Sequence, residues 1–247
     1  MAAISFCALP HMAHAQSSFA DRLASDRLAQ IRPGAYQAGD DVQFIIEMLN
    51  SHYLMQITGK PEVFVLYPGN ASLGGRVLKF DSGETALRVA GWGGITLYTD
   101  ERPGGLPAVR TGDATTPTPQ SVSLKAMEKA AKDEMQHLAY IHRLHISFTA
   151  DWKALANDAD QRALAFDAME NAVRGIDRFA NNAKGRAALA DKVKAVYIVA
   201  AAKPTLAFKD GTIIVTFNPA KYYAGRASSR AIARALSKVF HVPIKHR

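Results

Sequence analysis

The sequence predicts an α+β fold: an N-terminal antiparallel β-meander closed as a sandwich or small barrel, central helices, a late β-hairpin and a C-terminal amphipathic helix. Three observations carry this. Between residues 42 and 99, runs of alternating apolar and polar residues recur about every ten positions, the rhythm of a sequential antiparallel sheet. From residue 124 the apolar positions fall at steps of three and four, the spacing of one helix face. Then Asp210-Gly211 stands between two alternating runs, a hairpin signal because that turn needs positive φ.

In chain order, "SSFADRLASDRLAQIR" is a short amphipathic segment. Strands are expected at 42–48, 53–58, 62–67, 76–80, 85–90 and 95–99, separated by "NS", "GKP", "PGNASLGG", "DSGE" and "GWGG", all turn chemistry. Alternation sends Leu87 and Val89 to one side of the sheet and Ala86 and Arg88 to the other. In "GWGG" the bend needs backbone angles that Gly91, Gly93 or Gly94 supply. Trp92 is expected to lie across the end of the sheet and cover apolar surface; a rim tryptophan is also the candidate stacking platform for a ring-shaped ligand. Residues 101–120, rich in Gly, Pro and Thr, read as an internal linker between a strand-rich and a helical half of one domain spanning 16–247.

The next helix places Leu124, Met127, Ala131, Leu138 and Ile141 on one stripe; a second places Phe166, Met169, Val173 and Ile176, with Glu170 and Arg174 as an i,i+4 pair. "VKAVYIVAAA" and "TLAFKDGTIIVTF" return to β character. The last helix, "GRASSRAIARALSKVF", has Ser228 or Ser229 as its N-cap and Pro243 as its stop.

The chain opens on an apolar run at 2–9 followed by Ala13-His14-Ala15, the small-x-small pattern of signal cleavage, though no Lys or Arg precedes it. The expectation is a signal peptide at 1–15, either truncated at its charged end or degenerate there, and a periplasmic product. The single Cys7 lies inside that segment, which leaves the processed chain without disulfides or Cys-ligated metal. No later run reaches the 18 or so apolar residues of a spanning helix.

The formal charge is +8, and the last 47 residues alone hold nine Lys/Arg against the single Asp210. Within them Arg226, Arg230, Arg234 and Lys238 recur every four residues. With the amides beside Ser228 and Ser229, they form the candidate site for an anionic envelope partner, lipid head groups or acidic glycan. Nucleic acid is the weaker partner, since the rest of the chain is nearly neutral. His137, His142 and His145 lack the spacing of a metal site, and neither a metal nor a cofactor is expected. The sequence has no G-x-S-x-G, P-loop, dinucleotide fingerprint or C-x-x-C. The acids Asp81, Glu84, Asp100 and Glu101 sit in expected turns, and offer the alternative of a hydrolase working around Trp92. A small-ligand-binding barrel with Trp92 at its mouth is the other alternative. The leading expectation is a non-catalytic exported interaction protein.

Three stretches, "GKPEVFVLYP", "FDSGETALRVAGWGGITLYTDERPGGLPAVRTG" and "GRASSRAIARAL", together resemble exported bacterial proteins catalogued as domain of unknown function 4908, from about Val42 onward. That family's C-terminal motif often reads Gly-Arg-Pro-Ser-Ser, where this chain has Ala227. The resemblance implies export and a single α+β unit, and names no chemistry.

Overall fold

The computed structural model describes residues 30–115 and 117–243; the expected leader, most of the first amphipathic segment and the final basic residues lie outside these. Eight strands, β1 (Gly34–Ala38), β2 (Val42–Leu49), β3 (His52–Ile57), β4 (Val63–Asn70), β5 (Arg76–Phe80), β6 (Thr85–Val89), β7 (Ile95–Leu97) and β8 (Leu106–Gly112), form a closed antiparallel barrel in sequence order. Closure decides between sandwich and barrel. It depends on β8, which pairs with both β7 and β1 inside the stretch that reads as a linker. Only Ala108 of that strand is buried, so its alternation is faint. It is a strand because two open sheet edges need a partner, and closing a barrel removes them. β1 is likewise additional to the six expected strands.

The barrel is filled. Phe44, Ile46, Met55, Leu66, Leu78, Leu87 and Leu97 are all buried in its core. Tyr36 stacks on Phe44 at 5.2 Å between ring centroids, and Phe64 meets Phe80 edge-on at 5.0 Å. An eight-stranded barrel has an interior just wide enough for such side chains.

Hairpin geometry gives the barrel two different ends. The β2–β3, β4–β5 and β6–β7 turns lie at one, here the far end; the β1–β2, β3–β4, β5–β6 and β7–β8 loops lie at the other, the near end. The "GWGG" turn is at the far end. Gly93 takes φ 92°, and Ala90 and Gly94 close the turn with an N–H···O bond of 2.8 Å, so the glycines serve the bend as expected. Trp92 does not cover the sheet: it is 76% exposed. Ile31, just ahead of β1, is buried in the barrel core instead.

The second half begins with α1 (Leu124–His142) and continues through β9 (Ser147–Ala150), α2 (Trp152–Ala156), α3 (Ala159–Ala180), α4 (Ala183–Lys192), β10 (Ala195–Ala200), β11 (Leu206–Lys209) and β12 (Thr212–Phe217). A 3-10 segment, Pro219–Gly225, kinked at Tyr222, leads to α5 (Ser229–Phe240). The late strands stay apart from the barrel and build a sheet of order β11-β12-β10-β9, with only β11 antiparallel to its neighbour. Asp210 and Gly211 make the expected hairpin turn at φ 49° and 78°. On β10 and β12, Val196, Ile198, Ile213, Val215 and Phe217 face a core shared with α3 and α5.

α1 follows its expected stripe through Met127, Ala131 and Leu138, but Ile141 is 54% exposed and His142 is buried in its place. The histidine goes inward because Asp177 of α3 receives it, Nε2 to Oδ1 at 3.0 Å. The helices α3 and α5 approach closely at Gly175, where an added Cβ would lie 2.5 Å from Ile232 Cγ2. A separate apolar contact holds the two halves together: Tyr223 of the 3-10 segment packs on Leu54, Val63 and Val65 of the barrel.

Candidate functional site at the seam between barrel and helices

Barrel closure brings four acid-bearing loops to the near end, and α5 points its N-terminus at three of them. Ser228 is the N-cap, its Oγ accepting from Ala231 N–H. Two carboxylates of the barrel take the preceding amides. Ser228 N–H and Oγ–H donate to Asp81 at 2.8 and 2.5 Å. Ser229 N–H and Oγ–H donate to the buried Glu62 at 2.8 and 2.6 Å. A helix start carries unpaired amides and partial positive charge, so carboxylates there are stabilised.

Arginines complete the seam. Arg226 is 4% exposed, pairs with Asp167 of α3, and donates through Nη2 to the Val63 carbonyl at 2.7 Å. Burial pulls its guanidinium down to about 10, against the raising effect of Glu62 and Asp81, which leaves it charged at neutral pH. Arg230 reaches Glu84 at 2.6 Å and Asp100 at 2.5 Å while lying 4.3 Å over the Phe80 ring. Arg178 of α3 bonds the other Asp100 oxygen and donates to Ser229 Oγ at 3.0 Å. Beside these pairs a cavity of about 430 Å³ opens between the halves. Phe64 and Phe80 of the barrel line it, and Arg174, Arg178 and Asp177 of α3 form the opposite wall.

A family model described as Domain of unknown function (DUF4908) matches residues 18–236. The chain belongs to that family. No curated protein and no solved structure matches it. The "GRASSRAIARAL" stretch that carried the resemblance is thus the seam of this DUF4908 member, and both of its serines are bonded to the barrel.

The six residues expected to face an external anion are divided by the fold. In this family member Arg226, Ser228, Ser229 and Arg230 are engaged by carboxylates of its own chain, so the anion recognised at this helix start is internal. Arg234 and Lys238 remain exposed, and neither has a carboxylate within ion-pair distance among the described residues. Trp92 is at the opposite end of the barrel. Asp81, Glu84 and Asp100 do come together, but around α5 rather than Trp92, and each is hydrogen-bonded there. His137 and His142 converge on Asp177 from the same helix, at 3.2 and 3.0 Å; His145 is exposed and apart. No group of three or more metal-binding side chains occurs among the described residues. Glu62 and Asp167 carry the seam without any local signal, since Glu62 sits in "GKPE", ordinary turn sequence, and Asp167 on a helix flank.

Desolvation raises the Asp81 carboxyl above its ordinary 3.8, outweighing the bonds from Ser228 that lower it. An acid whose folded pKa is raised holds a proton more tightly folded than unfolded, so its stabilisation is complete below the ordinary value and is lost as pH rises through the raised one. Asp81→Asn removes that titration. In urea unfolding, the stability of the native chain minus that of Asp81→Asn should therefore fall as pH rises from about 4 into the neutral range. A difference that grows over this window contradicts the assignment.

Proposed function

We propose that this family member is a non-catalytic exported binding protein that holds a small ligand, carrying both a positive and a negative group on an apolar body, in the seam cleft. One observation carries the reading: the seam acids beside the cleft are held in ion pairs, Asp100 with Arg178 and Arg230, and Glu84 with Arg230. General acid–base chemistry instead calls for carboxyls whose environments hold their pKa values apart. The cavity volume, about 430 Å³, is that of small-ligand sites. Lys60 on its wall suits a carboxylate, Glu101 suits an ammonium group, and Ile57, Phe64 and Phe80 suit an apolar body. Export rests on the leader pattern at 1–15.

The test uses thermal unfolding with a panel of amino acids and short peptides. Asn181 lines the cleft from the exposed C-cap of α3 and its side chain takes no part in the seam ion pairs, so Asn181→Trp fills the cavity and spares the fold. Zwitterionic members of the panel should raise the melting temperature of the native chain and not of Asn181→Trp, because a ligand stabilises only the state that binds it. No shift with any member, or an equal shift in both proteins, ends the proposal.

A further inference from the structure

The far end of the barrel differs from the near end in every respect that matters for a partner. Its three hairpin tips, residues 50–51, 71–75 and 90–94, contain no charged residue at all, and two of them present large apolar side chains to solvent: Leu73 at 84% and Trp92 at 76% exposure. Met48, at the end of β2 beside the first tip, is 56% exposed. The two apolar tips are in direct contact, since a Cβ on Gly91 would sit 2.5 Å from the Leu73 carbonyl oxygen. Leu73 also holds φ 57°, a left-handed conformation that a leucine adopts at a cost and for which asparagine or glycine is the usual occupant. It is strained, and its side chain is largely open to solvent.

Acids at this end are Glu47 of β2 and Asp113, which pairs with Arg110, but the charges nearest the two apolar tips are basic. Arg76 and Arg88 flank them, with Arg32 and Arg110 at the same end, and neither Arg76 nor Arg88 meets a carboxylate among the described residues. The acids of the β1–β7 hairpin loops, by contrast, are gathered at the near end. We infer that the far end of the barrel docks on an anionic lipid bilayer, with Trp92 and Leu73 entering the head-group region and Arg76 and Arg88 meeting lipid phosphates. Tryptophan suits this place because its ring is apolar and its N–H reaches the hydrated layer. Arginines around the insertion add attraction to an anionic surface, which salt screens. The surface is independent of the seam cleft, which faces the other way along the barrel.

Sedimentation of the full chain with vesicles tests the inference. The chain should bind mixed phosphatidylcholine–phosphatidylglycerol vesicles more tightly than phosphatidylcholine alone, and less as salt is added. The double variant Trp92→Ser/Leu73→Asn, which replaces exposed side chains and suits the left-handed position, should keep its melting temperature and lose at least about tenfold in partitioning, the scale of withdrawing one large apolar side chain. Arg76→Gln/Arg88→Gln should erase the preference for phosphatidylglycerol. Arg234→Glu/Lys238→Glu, on the exposed side of α5, should bind as the native chain does. Binding that survives in the tip variant, or that is abolished only in the α5 variant, overturns the inference. So does a tip-dependent self-association without vesicle binding, which would make a second copy of the chain the occupant.

Discussion

Replacing Arg226 with leucine is expected to destabilise the fold by about 3–5 kcal/mol, the usual consequence of removing one partner of a buried charge pair. The guanidinium is almost wholly enclosed, and its loss strands the Asp167 carboxylate and the Val63 carbonyl and removes the charge that helps to offset the buried Glu62. Leucine fills part of the space but donates nothing. Asp167→Asn in the same chain should recover part of the loss, since it removes one uncompensated charge, and the pair should be clearly non-additive. Urea unfolding of the four proteins in the cycle measures this. A loss under about 1 kcal/mol for Arg226→Leu is the value of an exposed ion pair and is incompatible with the seam as described.

Gly175→Ala is expected to cost about 1–3 kcal/mol, although alanine in an exposed helix interior gains about 1 kcal/mol over glycine. The added Cβ would lie 2.5 Å from Ile232 Cγ2, 2.7 Å from Ile232 Cβ and 3.0 Å from the Ser229 carbonyl oxygen. Helices α3 and α5 would have to separate, and α5 carries the serines that hold the barrel, so the strain reaches the seam. Ile232→Ala removes the nearest of these atoms and leaves the others. It should therefore relieve Gly175→Ala only in part, a coupling visible in thermal or urea unfolding of the double variant. A Gly175→Ala protein more stable than the native chain contradicts the crossing.

These two sites differ in how visible they are in the amino-acid sequence. A glycine inside an apolar helical stripe marks itself as a place of close approach, although nothing local names Ile232 as the neighbour. Arg226 looks like one member of a regular basic stripe. Spacing of four residues predicts which side chains share a helix face; it does not predict what that face meets. Here Arg226 and Arg230 meet acids 59 to 146 residues away in the chain. The barrel shows the same contrast. Six strands could be read from their alternation, whereas β8 could not, because a strand with one buried residue is held by its two neighbours and not by its own pattern.

Locally determined features follow from the amino-acid sequence alone: the meander rhythm, the Asp210-Gly211 turn, the Ser228 cap and the Glu170–Arg174 pair, bonded at 2.8 Å. Each depends on residues within one turn of helix or one hairpin, where covalent distance guarantees proximity. Family membership is equally a property of the sequence. Tertiary structure decided which charges are spent and which are free. Closing the barrel set Glu62, Asp81, Glu84 and Asp100 against the start of α5 at one end and turned Trp92 and Leu73 outward at the other. A charged or aromatic side chain has the same chemistry wherever it lies; only the arrangement of distant segments determines whether it faces a partner within the chain or one outside it.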